Sequence, residues 1–316
     1  MQKRVRVFAP ASAANLGPGY DLLGVAIGGV GDEVEVRLAP EADGLFIESI
    51  EGDGGRLPLK ADENTAGIAA LEVLKLLGKE DVGIALHLKK GLPLGSGLGS
   101  SGASAAAAVQ AINVLFGEPL EKKDMLHATM VAEASVSGWH ADNVAASLFG
   151  GLILIRSYEP LDWMRFDVPE AMRFVLVKPD TALETKKARA AVPTEIPIKQ
   201  HIANSGNLAA MIGALGMKDI KRFGAAIQDV IVEPARAPLI PGFHAVKRAA
   251  LEAGAYGCSI SGAGPTIFAI VDSDELAQRV AKVMQDAFMQ DAQLDSFVTI
   301  GHVDLDGARQ IDLPVT

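Results

Sequence analysis

The stretch that decides the fold is Pro93-Leu94-Gly95-Ser96-Gly97-Leu98-Gly99-Ser100-Ser101-Gly102-Ala103-Ser104. Four glycines fall within eight residues. Such a backbone can come close to a ligand and adopt positive φ angles. The residues that follow, Gly102 to Phe116, are rich in Ala and carry Val109, Ile112 and Leu115 at helical spacing. A helix therefore begins as the loop ends. Its free N–H groups and dipole favour an anion, with phosphate the natural guest. An ordinary turn needs one or two glycines, not a run that ends in hydroxyl residues. Gly97, Gly99 and Gly102 also spell the dinucleotide fingerprint G-x-G-x-x-G. That fingerprint follows a strand directly and needs an acidic residue about twenty positions on. Here the dilysine and Pro93 intervene, and Glu118 lies in a Gly-Glu-Pro turn. No Gly-Lys-Ser/Thr is present, so the loop is not of the Walker type.

Working outward, Val5, Val7 and Ala9 alternate with Arg4 and Arg6, as a strand does. Glu33 to Leu38 and Ile84 to Leu88 repeat that two-residue period, and Asn15 to Gly19 reads as irregular. Helices are predicted over Thr65 to Leu77 and Lys122 to Ser135, and a strand over Leu152 to Ile155. Ser157 to Pro169 is polar, contains two prolines and reads as a boundary, which divides the chain at 157/158. Beyond it come a strand (Phe174 to Val177), a loop to about Thr194, and two or three helices through Ile198 to Gln228. A helix (His244 to Ala253), a strand (Thr266 to Val271), a helix (Glu275 to Met289) and a strand (Phe297 to His302) complete the chain. This mixture predicts an antiparallel or mixed sheet with helices on one face, and so an α+β rather than a doubly wound protein.

The 316 residues suit two domains of ordinary size. Apolar residues make up 49% and aromatics 5%, so the core is aliphatic. A net charge of −10, from 29 basic and 39 acidic residues, argues against nucleic-acid or general membrane partners. The single cysteine, Cys258, cannot form an intrachain disulfide and reads as a buried small side chain. No apolar run reaches the length of a bilayer. The expected location is the cytoplasm.

Taken whole, Pro93 to Ser101 resembles the phosphate loop of the GHMP kinases, which transfer a phosphoryl group from ATP to small alcohols. Two further segments resemble the homoserine kinases among them. One is Ala9-Pro-Ala-Ser12-Ala-Ala-Asn15-Leu-Gly17-Pro-Gly19-Tyr-Asp21. The other is Gly257-Cys-Ser259-Ile-Ser261-Gly262-Ala263-Gly264-Pro265-Thr266. The resemblance implies a ribosomal-S5-like amino-terminal domain (1–157) that binds ATP. It implies a ferredoxin-like carboxyl-terminal domain (158–316) that completes the substrate site, and pairing as a homodimer. The implied reaction phosphorylates L-homoserine. Other readings are a different acceptor such as mevalonate, a non-catalytic sensor on the same fold, or a nicotinamide enzyme.

The resemblance also assigns residues. Pro93, Leu94, Gly95, Ser96, Gly97, Leu98, Gly99, Ser100, Ser101, Gly102 and Asn64 fall at nucleotide-binding positions, though Asn64 reads equally as a helix cap. Glu133 and Ser101 fall at the Mg²⁺ positions, with Ser100 the near alternative; Mg²⁺ favours such hard oxygen ligands. For a zwitterionic acceptor, Asp21 matches the place that meets the ammonium. Arg189 and Arg236 match the places that meet the carboxylate, where a guanidinium can bind in a fork. Asn15 and Asn143 are candidates to touch substrate or position the reacting hydroxyl, and Thr185 is a further one. His140 and Asp142, in Trp139-His140-Ala-Asp142-Asn143-Val, are the side chains a general-base role would use, but His140 reads first as a packed residue. No base is assigned.

Overall fold

A computed structural model of the chain describes residues 3–313. Strands β1 (Arg4–Ala14) and β2 (Leu23–Leu38) run antiparallel, with Val5 opposite Val36 and Val7 opposite Val34. All four side chains are fully buried, as the alternation predicts. The register shifts between Pro10 and Ala11, a bulge that re-aims the second half of β1. β3 (Leu45–Glu51) lies parallel to β4 (Ile84–Lys89), and β4 lies antiparallel to residues 33–38 of β2. The other end of β2 pairs with β5 (Leu152–Tyr158), and β5 pairs with β6 (Leu161–Phe166). The polar stretch after residue 157 is thus not a bare linker. Leu161, Trp163 and Phe166 supply enough apolar surface for one more strand, so the first sheet runs past the expected boundary to Phe166.

Helices α1 (Thr65–Leu77), α2 (Ser100–Leu115), α3 (Lys122–Ala134) and α4 (Asp142–Phe149) share a core with this sheet. α2 is buried at every position from Gly102 to Leu115. Its alanines explain how: small side chains let the sheet and three other helices approach it from several sides. It starts two residues earlier than the sequence pattern suggests. Gly99, in the left-handed region, ends the loop, and Ser100 and Ser101 form the first turn.

The second sheet holds β7 (Arg173–Pro179), β8 (Gly257–Ile260), β9 (Ile267–Val271) and β10 (Ser296–His302) in the order β10-β7-β9-β8, all antiparallel. This is the ferredoxin-like order. Residues 180–256 carry α5 (Thr185–Ala190), α6 (Ile198–Gly216), α7 (Ile220–Ala225), α8 (Val232–Arg236) and α9 (Phe243–Glu252). α10 (Asp274–Ala292) links β9 to β10. β7 and β9 are buried on both faces, so their apolar runs are continuous rather than alternating. Val175, Val177, Ala269 and Val271 pack under α9 and α10. Phe174, Leu176, Phe268 and Ile270 pack with α6, α7 and the inner ends of β1 and β2. That second core joins the two halves. β11 (Arg309–Ile311) then returns to the first sheet and pairs with β1. Among the described residues, no helix is long and apolar enough to cross a membrane.

Candidate active site

The glycine loop lies at the bottom of a cleft of about 360 Å³ between the halves. Gly95, Gly97 and Gly99 all have positive φ. Space as well as conformation excludes a side chain at two of them. A Cβ on Gly97 would sit 2.5 Å from the Ser261 carbonyl oxygen, and one on Gly99 would run into Ser12 Oγ. The third sequence motif, Ser261 to Thr266, folds against the loop. Ser261 Oγ donates to the Gly97 carbonyl at 2.7 Å, and Thr266 Oγ1 to that of Ser96 at 2.6 Å. From the other side, the Ser12 amide donates to the Leu98 carbonyl at 3.1 Å. The loop is clamped by backbone-directed bonds and presents the first turn of α2 to the cleft.

Beneath that turn lies a buried ion pair. Lys90 Nζ donates to Asp32, to the Ser100 carbonyl at 2.9 Å and to Ser104 Oγ at 2.7 Å. Asp32 also accepts from the amides of Gly91 and Leu92 at 3.0 and 3.1 Å. Burial lowers the Lys90 pKa, and Asp32 opposes the shift. Ser101 and Glu133 come together: Ser101 Oγ donates to Glu133 Oε2 at 2.8 Å, and Ser137 Oγ donates to the other carboxylate oxygen. Burial pushes the Glu133 carboxyl up, and the two serines pull it back. The Ser100 hydroxyl points elsewhere, to the Leu92 carbonyl at 3.4 Å. Asn64 caps α1, accepting from the Ala66 amide at 3.0 Å, and lines the cleft as well.

On the far wall, Asp21 and Arg189 form a forked pair at 3.0 and 3.1 Å. Asp21 has a φ of 57° and Asn15 one of 71°. Both hold left-handed conformations that Asn and Asp tolerate better than other side chains. Asn15 fixes this bend, accepting from the Asp21 amide at 3.0 Å and donating to the Gly262 carbonyl at 2.8 Å. The Asn15 amide is therefore committed to the protein at both ends. Arg236 is buried and donates to the carbonyls of Ala188 and Gly262, each at 3.0 Å. Tyr20 lies beneath both arginines, with ring centroid distances of 5.6 Å to Arg189 and 5.0 Å to Arg236. Thr185, at the start of α5, completes this wall.

Between the two walls sit His140, Asp142 and Asn143. His140 Nδ1 is 3.6 Å from Asp21 Oδ1, beyond hydrogen-bond reach, and finds no other partner among the described residues. Burial lowers the His140 pKa against the pull of Asp21. Asp142 is fully buried, and burial together with Asp21 pushes its carboxyl up to about 7. Asn143 Oδ1 accepts from Ser12 Oγ at 2.9 Å. The cleft thus brings Asn15, Asp21, Asn64, Ser101, Glu133, Asn143, Thr185, Arg189 and Arg236 to one cavity.

Sequence reasoning missed Asp32, Lys90 and Ser137. Ser12, Tyr20, Ser261 and Thr266 lie inside the motifs, but the motifs alone assign them no role. A signal existed for two of these: Asp32 shares the inward parity of Val34 and Val36, and Lys90 that of Leu86 and Leu88.

Comparison with known proteins adds the following. The GHMP kinases N terminal domain matches residues 64–151, and the GHMP kinases C terminal domain residues 211–290. A homoserine kinase of Arabidopsis thaliana is 50% identical over 98% of this chain and 85% of its own length. One from Chlorobaculum tepidum is 44% identical over 98% of each chain. The crystal structure of homoserine kinase from Cytophaga hutchinsonii superposes with a TM-score of 0.94, at 46% identity over 98% of each chain.

Proposed function

Since the chain belongs to the homoserine kinase family of the GHMP kinases, we propose that it transfers the γ-phosphoryl group of ATP to the hydroxyl of L-homoserine, giving O-phospho-L-homoserine and ADP on the way to threonine. One observation carries the reading from the residues upward. A hydroxyl–carboxylate pair at the mouth of a phosphate loop faces, across one cleft, an acid and two guanidinium groups. Phosphoryl transfer needs little else: reactants held in line and developing charge neutralised.

In this proposal residues 1–157 carry the nucleotide, and residues 158–316 complete the acceptor site through Thr185, Arg189 and Arg236. The loop amides from Gly95 to Ser101 and the α2 dipole hold the phosphates. Ser101 and Glu133 would hold Mg²⁺. Two hard oxygens side by side fit an ion that keeps most of its water and takes phosphate oxygens as further ligands. When bound, that ion neutralises charge on the transferring group. Asp21 takes the ammonium and Arg189 and Arg236 the carboxylate, so a zwitterion replaces the internal Asp21–Arg189 pair with one contact for each arm. Asn15 holds Asp21 in place, and Asn143 meets the reacting hydroxyl. Cytoplasmic location and homodimer formation belong to the same proposal.

ADP release from the purified protein with Mg-ATP tests it, comparing L-homoserine with D-homoserine, L-serine, mevalonate and galactose. Stereospecific turnover of L-homoserine is expected. Equal turnover of mevalonate would discard the ammonium contact, and no acceptor-dependent turnover would discard the kinase reading.

A further inference from the structure

The geometry points to Ser12 as a positioning residue for the reaction: its hydroxyl holds the side-chain amide of Asn143 so that the two N–H bonds, and not the carbonyl, face the reacting oxygen. Ser12 lies on β1, just past the bulge, and is fully buried. Its one O–H donor goes to Asn143 Oδ1 at 2.9 Å. Its amide donates to the Leu98 carbonyl in the middle of the glycine loop at 3.1 Å. A Cβ at Gly99 would collide with Ser12 Oγ and come within 2.9 Å of Asn143 Oδ1. Phosphate loop, serine and asparagine therefore meet at one packed point.

A primary amide has one end that accepts and one that donates. With Oδ1 turned back to Ser12, Nδ2 is the end left for the cleft, and among the described residues nothing accepts from it. The α4 helix start is fixed as well, because the Asn143 backbone N–H donates to Asp142 Oδ1 at 2.9 Å. The reversed amide would aim a carbonyl oxygen at the acceptor hydroxyl and at anionic phosphate oxygens, which repel it. In the held orientation Asn143 donates to the acceptor oxygen and aligns a lone pair for in-line attack. It has no lone pair on that side, so it does not take the hydroxyl proton. A donor held in advance is worth most where charge changes during the reaction, so the effect belongs in kcat.

This inference rests on the proposed homoserine kinase activity, and the test separates the two. Ser12→Ala, Asn143→Ala and the double variant are compared with the parent protein in the ADP-release assay. Ser12→Ala is expected to lower kcat about tenfold while both KM values stay within about twofold. In the Asn143→Ala background the same change should cost less than about twofold, because the group that Ser12 positions is gone. Equal losses in the two backgrounds, or a matching rise in KM for ATP, would make Ser12 a loop prop and overturn the inference. If Ser12→Ala does not fold, Ser12→Cys fills the space with a weaker donor and is read by the same cycle. If the parent protein turns over no homoserine, the kinase reading fails on its own. Ser12 is then judged by NMR of the Asn143 side-chain amide protons, identified by their loss in Asn143→Ala. A shift in Ser12→Ala or Ser12→Cys supports the contact, and unchanged resonances overturn it.

Discussion

Asp142 is the residue whose surroundings oppose its charge most plainly. Buried at the start of α4 and close to Asp21, it holds its proton up to about pH 7. An unfolded aspartate gives up that proton near pH 4. Between those two values the unfolded chain has lost a proton that the folded chain keeps, so this group's contribution to stability falls as pH rises through that window. Asp142→Asn keeps the oxygen that accepts from the Asn143 amide and removes the ionisation. Its melting temperature relative to the parent should therefore rise between pH 5 and pH 8; a difference constant with pH would show that Asp142 titrates normally. Single side chains of this kind were hard to read in advance. Asp21, Arg189 and Arg236 stand out in the sequence because they lie in recognisable strings, and the fold brings all three to the cleft. Tyr20, which carries both arginines, is one residue from Asp21, yet its role depends on partners 169 and 216 positions away.

At the scale of elements, the first turn of α2, where the glycine loop ends, rests on a buried ion pair. Asp32 ends one inward-facing row of β2 and Lys90 extends the matching row of β4, and the two meet under the first turn of α2. A buried pair with every donor and acceptor engaged need not stabilise the fold relative to an apolar pair, but breaking it leaves an unpaired buried charge. Lys90→Met alone is expected to cost about 3–5 kcal/mol in denaturant unfolding and to raise KM for ATP. Adding Asp32→Leu should restore part of the stability, and an additive double variant would refute the pairing. The strand period was enough to place both residues inward. It could not show that they face each other, because strand order is a long-range property. For the same reason β6 reads as a linker in the sequence: its composition is that of one, and only its pairing with β5 makes it a strand. α2, by contrast, is legible to within two residues, since helix periodicity and the glycine loop before it are both local.

Across the whole molecule, the two sheets do not meet as separate bodies. Phe174, Leu176, Phe268 and Ile270 share a core with Ala11, Ala13, Leu23 and Val25, and β11 crosses back to the first sheet. At the cleft Gly262 ties the halves together alongside the Ser261, Thr266 and Arg189 contacts. Its amide donates to the Ala14 carbonyl at 3.0 Å, and its carbonyl accepts from Asn15 and from Arg236. Its neighbour Ser261 braces the phosphate loop. Under the proposed function, Gly262 is thus a knot shared by the nucleotide side and the amino-acid side, and tightening one is expected to shift the other. Occupancy of one should be felt as affinity at the other, and thermodynamic linkage makes the influence mutual. Calorimetry with a non-transferable ATP analogue should show L-homoserine binding more tightly in its presence, and the analogue gaining by the same factor in return. Identical affinities with and without the analogue would mean that the knot transmits nothing.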